Sequence, residues 1–406
     1  MTELERPAGR FTAARRRSAA SRIAVALTVL SLVLALLVLA HRYLLQRLVL
    51  EPGVPEPLRS ALVAAVAVLG VAMVLEPVAA RALPPRAARL VVAPGMLWMG
   101  AFFVTLNLTL ASDALLWLLG AGFGPGDSAD WEAPARLRAL AVTGLAAAAT
   151  ATGVRGALRG PLHRRVELRL ARWPAALDGF RIVQLSDLHI GPLLGRGFAA
   201  EVTARANALA PDLVAITGDL VDGPAARLRD EVAPFAGLRA PHGVYFVTGN
   251  HDWYSGADDW IRVVRELGLR VLRNERVEIA AAGAAFDLAG VDDHRGDWLH
   301  GSPCDLPRAL AGRDPARPVV LLAHDPTTFA QASRAGVDLQ LSGHTHGGQI
   351  WPFRWLVRLA VPWVEGLHAR GASLLYVSRG TGFWGPPLRL FAPAEITELV
   401  LRSESA

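Results

Sequence analysis

No lysine occurs in the 406 residues, and all 42 basic positions are arginine. Arginine-only basicity beside 38 glycines and 27 prolines reflects a compositional bias, so the net charge of +6 says little about partners. The arginines gather at the ends of apolar segments rather than along one face, so no nucleic acid partner is expected. The single cysteine, Cys304, excludes an internal disulfide and a thiolate zinc site. Charged residues make up only 19% against 52% hydrophobic, too few for one soluble domain, and a membrane part is expected.

Four apolar segments supply it. Residues 1–22 form a basic tail with Arg6, Arg10, Arg15, Arg16, Arg17 and Arg22, expected to be disordered and cytoplasmic. A transmembrane region over 23–155 follows, with spans at about 23–40, 60–75, 90–112 and 139–154. The fourth is rich in Ala, Thr and Gly, which suits helix–helix contact within a membrane. A cleaved twin-arginine leader ending near Ala40 is the rival reading of the first span, and the three later segments argue against it. Four spans put both ends of the chain on one side. The tail and the stretch with Arg155, Arg159, Arg164 and Arg165 mark that side as cytoplasmic, whereas the loop between spans three and four holds Asp113, Asp127, Asp130 and Glu132 against Arg136 and Arg138, and the two short loops around span two, with three Arg each, do not discriminate. The expected location is the inner or plasma membrane, multi-pass, with the bilayer as a partner.

From about residue 166 to 402 short β-branched runs alternate with helical ones. Strands are expected at Val166–Leu170, Arg181–Leu185, Leu213–Ile216, Val244–Val247, Val319–Leu322, Leu339–Leu341, Leu374–Val377 and Ile396–Leu401, with shorter ones at 270–272, 277–279 and 285–288. Helices are expected at Phe198–Leu209, Ala225–Leu238 and Asp258–Leu267. The alternation means an α/β domain with a largely parallel sheet, which places ligands beyond the carboxyl ends of its strands.

Five polar clusters fall at those ends: Ser186-Asp187-Leu188-His189, Thr217-Gly218-Asp219, Thr248-Gly249-Asn250-His251-Asp252, Ala323-His324-Asp325 and Gly343-His344-Thr345-His346. An Asp or Asn after one strand is ordinarily a cap or turn residue. Five such clusters on one sheet edge bring together more oxygen and nitrogen donors than a single ion needs, and two ions sharing a carboxylate use them all. Two cations about 3.5–4 Å apart are the usual clamp for phosphoryl transfer to water. Mixed Asp, Asn and His donors without thiolate suit Mn, Fe or Zn.

The five blocks, in this order and unbroken, resemble the calcineurin-like metallophosphoesterase superfamily. Its string is Asp-x-His, Gly-Asp, Gly-Asn-His-Asp/Glu, a single His and Gly-His-x-His. The resemblance implies a four-layer α-β-β-α sandwich. It also implies that Asp187, His189 and His346 hold one metal, that Asn250, His324 and His344 hold the other, that Asp219 bridges them, and that His251 lies beside the scissile phosphate. A carboxylate is the natural bridging group. A leaving alkoxide needs a proton, which His251 can give. Asp252 is expected either to orient that imidazole or to cap a helix, and Asp325 either to support a ligand His or to form a turn before Pro326. Gly343–Gln349 with Ser378-Arg379-Gly380-Thr381-Gly382 is similar to the bacterial branch in which the domain follows membrane segments, whose substrates include a UDP-diacylglucosamine pyrophosphate.

The stretch 350–367 interleaves Trp351, Phe353, Trp355 and Trp363 with Arg354 and Arg358 directly after the His pair, a composition that suits a membrane interface. Trp355, Trp363 and Arg379 are therefore candidate substrate contacts. The expected function is a membrane-anchored, dinuclear-metal phosphoesterase acting on a phosphodiester, phosphomonoester or pyrophosphate, in a lipid-linked, sugar-nucleotide or other phosphorylated substrate. The alternatives are soluble substrates with the helices as a tether, or a non-catalytic membrane scaffold.

Overall fold

The structure is a computed structural model that describes residues 9–120, 132–296 and 304–404. The chain forms two compact units, residues 1–68 with 105–144, and residues 69–104 with 145–406.

Four long helices come first: α1 (Gly9–Leu45), α2 (Leu58–Ala82), α3 (Pro85–Leu118) and α4 (Glu132–Leu158). The stretches Ala24–Leu50, Leu58–Ala82, Ala87–Leu118 and Ala133–Leu158 are long and apolar enough to cross a membrane. Their 25 to 32 residues exceed the roughly 20 that a bilayer core requires. The sequence windows fall short because helices continue through charged ends and through prolines: α2 contains Pro77 and α3 contains Pro94. The basic tail departs from expectation. Its residues from Gly9 on belong to α1, since Ala and Arg are both strong helix formers; residues 1–8 lie outside the described ones.

In the first unit the charges at the helix ends are paired. Asp113, only 7% exposed, accepts hydrogen bonds from Tyr43 Oη at 2.6 Å and Arg138 Nη1 at 2.7 Å, with Arg47 Nε at 3.1 Å. Arg47 also reaches Glu51 at 2.9 Å. Each buried charge thus meets an opposite one, the condition for keeping it there.

In the second unit the chain after α4 builds two six-stranded sheets. The first runs β1 (Leu162–Leu170), β12 (Glu395–Ser403), β2 (Phe180–Leu185), β3 (Leu213–Thr217), β4 (Val244–Val247), β5 (Arg270–Val271). The second runs β10 (Gly366–Arg370), β11 (Ser373–Val377), β9 (Leu339–Ser342), β8 (Val319–Leu322), β7 (Ala284–Gly290), β6 (Glu275–Ala281). Both are mixed: β2, β3, β4 and β5 are parallel neighbours, as are β7, β8, β9 and β11, while β12 against β2, β6 against β7 and β10 against β11 are antiparallel. The sheets face each other across a core of Leu168, Ile182, Leu213, Phe286, Leu322, Leu341 and Tyr376.

Alternate residues of the same strands point outward. Val183, Val214 and Ile216 meet α5 (Arg196–Ala208), α6 (Ala225–Val232), α7 (Asn250–Tyr254) and α8 (Ala257–Glu266). Val319 and Leu321 meet α9 (Leu306–Ala309) and α10 (Phe329–Ala332). This is the four-layer α-β-β-α sandwich. Burial on both faces explains why its central strands read as unbroken apolar runs. The last short helix is α11 (Arg354–Ala360).

The sequence expectation lacks the short helices α7, α9, α10 and α11 and differs in three further places. Strand β10 is not expected from the sequence, because its one large apolar side chain, Leu367, is exposed and gives only a weak signal beside Ala369. The helix expected to run to Leu238 ends at Val232 and continues as a tighter 3-10 turn over Ala233–Gly237, where Pro234 cannot extend an α-helix. The domain begins four residues before Val166, at Leu162, paired with Glu395.

Candidate metal centre

Strands β2, β3 and β4 of one sheet and β8 and β9 of the other end at a common edge, so the five polar clusters converge from both sheets. Three groups of possible donors form there among the described residues; His189, Asp222 and His251 make one, described below with His251, and the other two come from the five clusters alone. Asp187, His189 and His346 make the first, with His189 Nε2 3.0 Å from His346 Nε2 and His346 Nε2 3.4 Å from Asp187 Oδ1. Asp219, His324 and His344 make the second, with Asn250 Oδ1 2.8 Å from His344 Nδ1 and 3.2 Å from His324 Nε2. Asp219 Oδ2 stands between them, 3.2 Å from His324 and 3.8 Å from His189.

These spacings fit cations. Imidazole nitrogens 3.0 and 3.2 Å apart, at His189/His346 and His324/His344, can share at most one proton per pair. Two donors held about 2.1 Å from one ion lie about 3.0–3.4 Å apart. Asp187 is fully buried and Asp219 nearly so, with no Arg on either carboxylate among the described contacts, which leaves negative charge for a metal to balance. Burial and the neighbouring Arg389 hold His346 well below the usual imidazole range, in the neutral form that ligates. Burial alone would raise Asp219, yet His324, His251 and His189 around it keep it well below the usual carboxylate range.

The backbone is bent to make this possible. Asp187, His189, Asp219, His344 and His346 all have φ between 47° and 73°, the left-handed region. Asp and His tolerate it better than most residues, at about 1–3 kcal/mol each. The motif glycines serve close approach. A Cβ on Gly343 would overlap Ser186 Oγ and Asp187 Oδ2, and one on Gly249 would overlap Asp219 Oδ1. The Ser378–Gly382 segment supports the first group from behind: Thr381 N–H donates to Ser186 C=O at 2.7 Å and Gly382 N–H to Asp187 C=O at 2.9 Å.

His251 lies in the wall of a cavity of about 550 Å³ shared with Asp219, Asn250, His344 and His346. Its Nδ1 is 2.7 Å from Asp222 Oδ1, and the ring sits among His189, Tyr254 and Trp384. Burial lowers the affinity of His251 for a proton, but the bond to Asp222 and the charge of Asp219 outweigh it and raise the pKa to about 9. Asp222 was not among the sequence candidates. It follows Asp219 by three residues and reads there as a turn.

Several candidates lie elsewhere. Asp252 does not orient His251. Its carboxylate accepts the N–H groups of Gly249 at 2.8 Å, Leu220 at 2.9 Å and Asp219 at 3.0 Å, tying two loops together. It points down into the fold because α7 starts at Asn250 and turns residue 252 toward the first turn's free amides. Asp325 forms the turn before Pro326, accepting from Thr327 N at 2.8 Å. Arg379 is paired with Glu365 at 2.6 Å and does not line the cavity. Trp363 packs edge-on against Phe329 at 5.4 Å, in a cluster with Leu375 and Val377. Trp355 is exposed on α11, under Arg358 at 5.4 Å, outside the cavity wall. Arg389, also unanticipated, is almost fully buried and donates to the carbonyls of Arg379 at 2.7 Å, His346 at 3.1 Å and Ala392 at 3.2 Å, and to that of Gly382.

Sheet order, donor set and spacing together define a calcineurin-like metallophosphoesterase domain behind four helices of membrane-crossing length, and residues 180–348 match the calcineurin-like phosphoesterase family. Over 324 residues the chain is 37% identical to the transmembrane protein with metallophosphoesterase domain of Bos taurus, covering 75% of this chain and 72% of that protein. The Danio rerio protein of the same name is 36% identical over 62% of this chain and 59% of its own length. A Helicobacter pylori metallophosphoesterase is 37% identical over 54% and 59% respectively. The chain belongs to the family of transmembrane proteins with a metallophosphoesterase domain, and its relatives lie in animals as well as bacteria.

Proposed function

We propose that this chain is a membrane-anchored phosphoesterase that holds two divalent cations, Mn, Fe or Zn, and hydrolyses a phosphodiester, phosphomonoester or pyrophosphate bond on the cytoplasmic side. The observation that carries the reading is the position of Asp219 Oδ2, which belongs to the group with His324 and His344, 3.2 Å from His324, and also lies 3.8 Å from His189 of the group with Asp187 and His346. Asp187, His189 and His346 would hold one ion, Asn250, His324 and His344 the other, and Asp219 both. Such a pair supplies charge stabilisation at the phosphoryl oxygens and activates water for in-line displacement.

The protein does the rest. His251, exposed to the cavity and hydrogen-bonded to Asp222, donates the proton that the leaving oxygen needs. The apolar wall facing it limits water around the phosphate. Cytoplasmic placement is supported by Arg81, Arg89, Arg155 and Arg159, all in the unit that carries the sandwich. Met99 and Phe103 of α3 belong to the cavity wall, which favours a lipid-linked substrate over helices acting only as a tether.

The test is hydrolysis of nucleotide, sugar-nucleotide and lipid phosphates by the purified full-length chain with Mn²⁺, beside Asp219→Asn. Turnover that requires the metal and disappears in the variant is expected. Equal rates in both proteins would overturn the reading.

A further inference from the structure

The cavity at the metal centre has two kinds of wall. One end is polar, with Asn250, His251, His344 and His346. The other is made by Met99 and Phe103 of α3 and by Phe353, Leu356 and Val361 around α11. Phe103 and Phe353 meet edge to face, with ring centroids 6.0 Å apart and planes at 88°. A helix long and apolar enough to cross a bilayer therefore supplies part of the same space that the metal-ligand candidates face.

From Leu356 in the cavity wall an apolar surface runs outward that stays exposed among the described residues. Leu359 is 84% exposed, and Trp355 and Leu356 are each 56% exposed. Contiguous exposed apolar surface of this kind marks a site of contact with a membrane or a partner. Its composition selects the membrane. Arg358 lies over the Trp355 ring, and Arg354 turns back to Glu365 at 2.8 Å, so the polar groups sit at the rim and the aliphatic ones project. Amphipathic segments with Trp and Leu on one side and Arg on the other lie in the headgroup boundary of bilayers. The continuity of this surface with α3 through Phe103 and Phe353 argues for the same solvent on both.

We infer that α11 rests in the membrane surface and that the cavity takes the hydrocarbon part of an amphiphilic phosphate ester directly from the bilayer, its phosphate reaching the metal centre. The substrate class is an ester with at least one aliphatic chain next to the phosphate. This rests on the phosphoesterase reading above and specifies what that site accepts.

Two measurements test it. The first uses the full-length protein in Mn²⁺ with alkyl 4-nitrophenyl phosphates of one to eight carbons, below their micellar concentrations. kcat/KM is expected to rise with chain length by up to about fourfold per methylene, and Leu356→Glu or Phe103→Asn is expected to flatten that slope. Hydrolysis of the methyl ester with no dependence on chain length sinks this inference and leaves the phosphoesterase reading standing. No hydrolysis of any member sinks this inference, and the phosphoesterase reading is then decided separately by the nucleotide and sugar-nucleotide phosphates of the test above. The second needs no turnover. Leu359→Cys in a Cys304→Ser background, labelled with an environment-sensitive fluorophore in nanodiscs, is expected to be quenched by lipids carrying a shallow nitroxide. Quenching by an aqueous quencher alone would show that α11 stays in water and overturn the membrane contact.

Discussion

One carboxylate oxygen of Asp222 serves two imidazoles: Oδ1 lies 2.7 Å from His251 Nδ1 and 2.9 Å from His189 Nδ1. It fixes the face that His251 turns to the cavity and the ring orientation of a ligand candidate at once. Removing His251 should cost most where the leaving group is a poor one. For His251→Ala, kcat on an alkyl ester is expected to fall by about 10²–10⁴, and much less on a 4-nitrophenyl ester, whose leaving oxygen needs no proton. Asp222→Asn should show the same leaving-group dependence and, through His189, bind metal about 10–100-fold more weakly. Equal losses on both esters in His251→Ala would remove the proton-donor role.

Gly343 leaves no space for a side chain. Gly343→Ala pushes a methyl into Ser186 and Asp187, so metal content per chain, measured by elemental analysis after gel filtration, is expected to drop while the protein remains folded by circular dichroism. Gly197→Ala, in α5 where a Cβ meets nothing within 4 Å, is the control and should load fully. A fully loaded Gly343→Ala protein would mean that the loop can shift without harm.

Arg389 is a structural cation rather than a phosphate ligand. Arg389→Met leaves buried carbonyls of Arg379, His346, Gly382 and Ala392 without their donor, and about 1–3 kcal/mol is at stake for each. A fall in Tm of several degrees is expected. Arg389→Lys should restore only part of it, because a single ammonium cannot span four acceptors held by a planar fork.

In the first unit Asp113 balances Arg47 and Arg138. Asp113→Ala removes the carboxylate shared by Tyr43, Arg47 and Arg138 and leaves the two arginines to Glu51, with an expected loss of about 1–3 kcal/mol. Thermal aggregation in detergent reads this directly. Asp113→Glu should fall between the variant and the parent chain.

Much of this was legible in the sequence because the informative residues lie next to strands. The seven metal-ligand candidates follow short apolar runs, and a run of only about four or five apolar residues bounded by Gly, Asp or Asn reads as a strand buried on both faces. Asp222 was not legible for the opposite reason. Its partners, His189 and His251, are 33 and 29 positions away, and nothing local distinguishes it from the turn residue that its neighbours Gly223 and Pro224 suggest. Arg389 hides in the same way, between Leu388 and Leu390. Trp363 misled because a Trp after an apolar helix carries the same signal whether it faces lipid or, as here, Phe329. Of the two roles open to Asp252, the structure shows the helix cap, because successive helical residues point apart and Asp252 turns to the Gly249 N–H rather than to His251.

The short run from Pro386 to Arg389 has a practical corollary. Leu388 fills a notch where a Cβ on Gly100 of α3 would come within 2.8 Å of it and one on Gly153 of α4 within 3.3 Å, and the Arg389 N–H donates to the Gly153 carbonyl at 2.8 Å. The peptide that steadies His346 is thus itself steadied by two of the apolar helices. A shortened chain starting after Leu158, the obvious route to a water-soluble enzyme, would bare Leu388, orphan that amide and loosen the imidazole it indirectly braces. Kinetics from such a fragment would describe a damaged centre, so micelles or nanodiscs are the proper setting for this enzyme's chemistry.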